Sequence, residues 1–223
     1  GRHFTNYYLK VQMDRFLLVF TILLITLFIV TDASSEELPA LVLKNKCDSC
    51  HGFNPKSNRM FAPTLRYAGE KFKQEWLEKY LVNPEPIRPA GYTKDPDFLN
   101  GKAPKIHPSV SKEEAKTLTA YLMKLKMVVS KVLVASNPLS KGKKAKARIK
   151  FERDYGCTSC HQAISLVNKS RGGISGPSLV NAGNRLNPNW VYRWLKNPAA
   201  YETKSRMPKY KITEEDLVGL TKY

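Results

Sequence analysis

Apolar residues in this chain fall into short stripes of helical period, and the stripes come in two similar series. In the first, Leu38, Leu41 and Val42 share one face of a short helix over residues 36–46. Phe72, Trp76, Leu77, Tyr80 and Leu81 then recur at helical spacing until Asn83-Pro84 stops them. Ala115, Leu118, Leu122 and Leu125 form a third stripe behind a Ser111 and Glu114 capping box. The second series runs through Ala145, Ile149 and Phe151 from about Gly142, then Trp190, Val191 and Leu195 up to Asn197-Pro198. It ends with Leu220 and Tyr223 behind Thr213-Glu214-Glu215-Asp216. No convincing strand accompanies either series, so the pattern predicts an all-α fold. Residues 84–108 hold six prolines and two glycines without periodicity and read as irregular loop.

The two series keep register. Pro63-Thr64-Leu65, Trp76-Leu77 and Asn83-Pro84 reappear 114 residues later as Pro177-Ser178-Leu179, Trp190-Val191 and Asn197-Pro198, while the terminal stripes are offset by 102. A duplication explains this, with four residues inserted before the second proline loop and twelve after the first Asn-Pro. The expected organisation is an N-terminal extension over 1–35, a first domain over 36–130, a linker over 131–141 and a second domain over 142–223. Phe16 to Val30 is an apolar run of 15 residues preceded by Lys10 and Arg15. It suits a signal-peptide core or a membrane anchor, with the small residues at 31–35 offering a cleavage site. Either use puts the rest of the chain in the periplasm or another extracytoplasmic compartment.

All four cysteines belong to Cys47-Asp48-Ser49-Cys50-His51 and Cys157-Thr158-Ser159-Cys160-His161. A zinc ribbon wants its second cysteine pair 15–20 residues after the first, whereas Cys50 and Cys157 are 107 apart. A redox dithiol wants a βαβ setting, and cysteines three apart on a helical turn make poor disulfides. C-x-x-C-H is instead the pattern for covalent haem c: two sulfurs on one turn reach the two vinyl groups, and the adjacent imidazole takes the iron. Two haem c groups are expected. Domains this small would draw much of their apolar core from the porphyrin.

Charge narrows the partners. The chain carries 37 Lys and Arg against 19 Asp and Glu, a formal +18. Redox proteins with acidic docking surfaces suit such a chain, as does an anionic membrane surface. Nucleic acid does not fit an exported haem protein. Lys131 to Lys150 contains seven basic residues and no acidic one, either a solvated helix face or a docking surface.

From residue 36 onward the chain resembles the two-domain, dihaem kind of class I cytochrome c, on both C-x-x-C-H motifs, the Gly176-Pro177-Ser178-Leu179 loop and the Trp-bearing helices. The resemblance implies that Pro63, Pro177, Trp76 and Trp190 line the haem sites. It also implies that His51 and His161 are proximal ligands, with the His161 ring N–H on the Pro177 carbonyl, and that Met207 takes the sixth position of the second iron. The first half lacks a matching methionine: Lys102-Ala103-Pro104-Lys105-Ile106-His107 stands there. His107, an open iron, Lys102, Lys105 or Met60 are the alternatives. A His/Met iron is more oxidising than a bis-His iron, so electrons would pass from the first haem to the second. The expected function is one-electron transfer between partners, with no catalytic residues. The alternatives are a haem subunit of a larger membrane oxidoreductase, or an enzyme acting on peroxide or a sulfur substrate at an open first iron.

Overall fold

The computed structural model describes residues 38–55, 57, 62–91, 107–127, 134–203 and 205–223. The leader at 16–30, Met60, residues 102–106 and linker residues 131–133 lie outside these. Residues 1–39 form one unit, of which only Leu38 and Pro39 are described, and Ala40–Tyr223 form the other. Among the described residues no helix is long and apolar enough to cross a membrane.

Within the larger unit the repeat is visible helix by helix. The first half contains α1 (Ala40–Lys44), α2 (Ala68–Lys71), α3 (Gln74–Val82) and α4 (Lys112–Leu122). The second contains α5 (Lys141–Ile149), α6 (Ala182–Arg185), α7 (Pro188–Lys196) and α8 (Glu214–Lys222). Ser111 caps α4 with the full capping box, and Thr213 caps α8 by accepting from the Asp216 N–H. Asn83 and Asn197 end α3 and α7 with the same bond, to the carbonyls of Lys79 and Arg193, both at 3.0 Å. Leu77 and Leu81 of α3 pack with Ala115, Leu118 and Leu122 of α4 as the first core.

Three sequence expectations change. A two-stranded antiparallel hairpin, β1 (Gln162–Ile164) with β2 (Ser170–Gly172), follows His161 directly, so the fold is mostly helical and not wholly so. This hairpin lies where the offsets place the four-residue insertion, and Asn168 closes its turn in the left-handed region at φ 57°. In α5 the buried positions are Ala147 and, just beyond, Phe151, while Ala145 and Ile149 are exposed. Ala147 and Phe151 stand at the same i,i+4 spacing as Ala145 and Ile149, and packing against α8 selects between the two sets; beyond the helix the backbone widens into a π-turn over Lys150–Asp154. Leu125 falls beyond the end of α4, where its carbonyl accepts the Gly69 N–H at 3.0 Å.

The halves meet through reciprocal main-chain bonds. Lys73 N–H donates to the Arg185 carbonyl, and Asn187 N–H donates to the Lys71 carbonyl, both at 2.9 Å. Phe72 and Leu186 form the antiparallel bridge between them. Each of these residues is 114 positions from its counterpart, so the junction is a pseudo-two-fold contact of the repeat with itself. The Asn187 side chain adds donations to the carbonyls of Glu70 and Phe72, and Tyr67 and Arg66 donate to the Tyr201 carbonyl. Arg193 pairs with Glu70 at 2.6 Å with side chains only 15% and 10% exposed. The other Glu70 oxygen accepts the Met127 N–H.

Removing one member of a buried ion pair leaves the other charged and desolvated. Glu70→Ala is therefore expected to destabilise the protein by about 3 kcal/mol, measured by chemical denaturation. A change within experimental error would show that the junction is not held by this pair.

Candidate functional site

The two cysteine motifs adopt one main-chain conformation. Each begins after a left-handed residue, Lys46 at φ 52° and Gly156 at φ 58°, which turns the chain sharply into a 3-10 turn. The His51 N–H reaches the Cys47 carbonyl at 2.9 Å, and the His161 N–H reaches that of Cys157 at 3.0 Å. None of the four cysteines forms a disulfide; Cys47 and Cys157 are partly buried, Cys50 and Cys160 exposed. Burial pushes the Cys157 thiol up to about 11 and raises Cys47. Thiols held protonated in this way are unlike the low-pKa cysteine of a redox dithiol. Among the described residues no His, Cys, Asp and Glu cluster has the makings of a zinc site.

Each imidazole is aimed by the carbonyl of its loop proline. His51 Nδ1 lies 2.7 Å from Pro63 O, and His161 Nδ1 lies 2.7 Å from Pro177 O. A carbonyl only accepts, so Nδ1 carries the proton and Nε2 keeps its lone pair. Burial pushes His51 down to about 4 and lowers His161, so both rings are neutral at pH 7. The loops are pinned in matching ways: Leu65 N–H donates to Gly52 O and Leu179 N–H to Gln162 O, both at 2.8 Å. Gly176 lets the second loop pass the ring, because a Cβ there would stand 2.7 Å from His161 Cε1 and Nδ1.

Opposite the first histidine stands another. The His107 ring centre is 6.0 Å from that of His51, and its own Nδ1 is 2.8 Å from Pro108 O, which leaves its Nε2 unprotonated. The two rings are tilted by 52° to one another, which brings the two imidazoles together beside the first cysteine motif. Tyr80 lies against His107 at 5.4 Å and stacks on Trp76 at 4.8 Å. In the second half Met207 is partly buried, and its Sδ accepts the Trp194 indole N–H at 3.0 Å.

The walls suit an anionic, planar group. Trp190 is buried, and its indole N–H has no partner within the protein. Lys71 Nζ is 5.0 Å from the Trp190 ring and 4.9 Å from the Phe72 ring. Burial first, and Arg185 second, hold Lys71 down at about 8; burial lowers Arg185 to about 10. A buried donor beside crowded cations matches the carboxylates of a haem better than it matches an apolar core. Gly176, Tyr80, Trp194, Lys71 and Arg185 were not singled out as site residues on sequence grounds. The offset of 114 that pairs Trp76 with Trp190 also pairs Tyr80 with Trp194 and Lys71 with Arg185, so the signal was present.

The ring contact at Gly176 yields a direct test. Gly176→Ala is expected to displace the His161 ring at a cost of about 1–3 kcal/mol. Gly142→Ala, whose Cβ meets nothing within 4 Å, is the control and should be neutral or stabilising. Urea denaturation of the two variants side by side decides it, and equal midpoints would mean that the loop yields freely.

Residues 37–126 match the family model described as Cytochrome c, a stretch that contains Cys47, Cys50, His51, Pro63, Trp76 and His107. No curated protein and no solved structure matches the chain. The match spans less than half of the chain, and it makes this stretch similar to a cytochrome c domain, a haem-binding electron-transfer module of a kind that carries haem c covalently and typically works outside the cytoplasm.

Proposed function

We propose that this protein is an extracytoplasmic dihaem cytochrome that carries electrons one at a time between redox partners. The observation that carries the reading is the repetition of the motif geometry: a second C-x-x-C-H turn, with its imidazole on a proline carbonyl at the same 2.7 Å, stands outside the matched domain. Cys47 and Cys50 would bind one haem through thioethers, and Cys157 and Cys160 the other. Haem c supplies reversible exchange of a single electron between ferric and ferrous iron.

The chain's own residues determine how the two sites differ. His51 and His107 present two imidazoles to the first iron, while His161 and Met207 present an imidazole and a thioether to the second. Imidazole favours the ferric state relative to a thioether, so the second site is the stronger oxidant and electrons pass from first to second. The proline carbonyls hold the proximal rings in one tautomer, and the partly buried Tyr80 and Trp194 rings limit water at the distal positions. On α5, Lys141, Lys143 and Lys144 are exposed, and Lys146 pairs with Glu215 at 2.8 Å. That face is the docking surface for an acidic redox partner, with an attraction that weakens as salt rises. The apolar run at 16–30 would deliver or anchor the chain at a membrane.

Mass spectrometry of the exported protein under denaturing conditions is expected to show roughly 1.2 kDa above the polypeptide mass, as two thioether-bound haems require. Replacing Cys157 and Cys160 by Ala should remove half of it. Finding only one haem in the unaltered protein would overturn the dihaem reading. A first iron ligated on both faces should also resist carbon monoxide and cyanide, whereas His107→Ala should open it to both. A native first iron that binds them freely would point instead to catalysis at that site.

A further inference from the structure

The hairpin that follows His161 ends in an apolar tip turned to solvent. Leu166 is 86% exposed and Val167 74%, and Ile164 beside them and Ile174 beyond the base are exposed as well. Two neighbouring large apolar side chains displayed this fully, at the end of a projection, form a patch and not a scattered single exposure. The tip is an ordered turn. Ser165 N–H donates to the Lys169 carbonyl at 2.8 Å, Asn168 N–H to the Ser165 carbonyl at 3.0 Å, and Lys169 N–H to Ser165 Oγ at 3.1 Å. Folding the tip back onto the protein would cost these bonds.

The base of the hairpin is fixed to the second cysteine motif. Gly173 N–H donates to the Thr158 carbonyl at 2.8 Å, and Arg171 pairs with Glu152 in the π-turn. The surrounding sequence has one sign of charge: from Tyr155 to Tyr201 the chain has five basic residues and no acidic one. Lys169, three positions from Leu166, is exposed at the tip itself. A lysine so placed sends its ammonium toward an anionic surface while its stem stays along the apolar side chains.

We propose that the tip over residues 164–169 is a membrane contact: Leu166 and Val167 enter the boundary between headgroups and acyl chains of an anionic bilayer, and Lys169 meets the lipid phosphates. Apolar burial and attraction to anionic lipid add in such contacts. A protein partner suits the tip less well. A stable protein interface takes about 800 Å² from each partner over a fitted surface, whereas this projection ends in two side chains, and a bilayer requires no fitted pocket. A second copy would bring a tip of the same charge against it. The contact is additional to the apolar run at 16–30 and uses no ligand of either iron. Because the hairpin base is bonded to Thr158, a seated tip holds the second C-x-x-C-H turn close to the lipid surface.

Photocross-linking of the holoprotein tests this. Leu166→p-benzoylphenylalanine places a C–H-reactive group at the tip, and Ala120→p-benzoylphenylalanine, at an exposed position of α4 in the first half, is the reference. Both report local contact even where the run at 16–30 already holds the chain on the vesicle. On vesicles of phosphatidylglycerol and phosphatidylcholine, mass spectrometry is expected to find lipid adducts at position 166 well above those at 120. Adding Lys169→Gln to the tip variant should lower the yield about fivefold, the contribution of one cation at an anionic surface. Vesicles of phosphatidylcholine alone should lower it too. Equal labelling at the two positions, no lipid adduct at 166, or no dependence on anionic lipid would overturn the proposal. So would an adduct to a second copy or, in isolated membranes, to another protein in place of lipid.

Discussion

Each site depends on a bond between an imidazole N–H and a proline carbonyl. That bond gives a histidine that merely follows two cysteines a defined tautomer and a defined aim. It forms because a loop returns to the motif 12 residues on in the first half and 16 in the second, delivering Pro63 O and Pro177 O to the same 2.7 Å. The four extra residues do not disturb it, since they are taken up in a hairpin that leaves and rejoins the main chain beside His161. Gly172 makes that return possible: at φ 117°, a Cβ there would stand 2.3 Å from His161 O.

The junction between the halves applies the same economy. Lys71 to Lys73 and Arg185 to Asn187 pair with each other as a dimer interface would, each strand of contact answering the other. Within one chain the two sides are free to diverge, and they have. Glu70 and Arg193 form a largely buried ion pair, while their counterparts at the reciprocal place are Asn184 and Lys79, which carry no such attraction. Asn187 spans to Glu70 O and Phe72 O, and its counterpart Lys73 reaches across to Gly183 O at 2.7 Å. Symmetry sets the approach of the halves, and asymmetry gives each site its own surroundings.

Much of this was legible in the sequence because it rests on local rules. Capping at Ser111 and Thr213, the Asn-Pro stops and the two motifs depend on neighbours a few residues apart. The proline carbonyl bond followed from family resemblance at His161 and recurs at His51. What the sequence obscured depended on backbone detail or on distant contacts. The α5 stripe was placed on Ala145 and Ile149, but Ala147 with Phe151 is an equally good i,i+4 pair, and packing against α8 selects the second. The hairpin escaped notice because three-residue strands carry too little alternation to be seen. Tyr80 read as one more apolar helix position and Trp194 was passed over, and only their contacts with His107 and Met207 give them a second use.

On the proposed reading the repeat supplies two sites of one geometry, and an electron path needs two of unequal affinity for an electron. The inequality then lies late in each half, where one offers an imidazole at His107 and the other a thioether at Met207. Helices α3 and α7 share their Trp and one Leu, and the position one turn beyond that Trp carries a phenol in one and an indole in the other. A ring contact suffices for His107, whose Nδ1 already has Pro108 O as its partner. Met207 has no ring to stack and takes the Trp194 indole N–H at its sulfur instead, so one helix position meets the two residues by contacts of different chemistry.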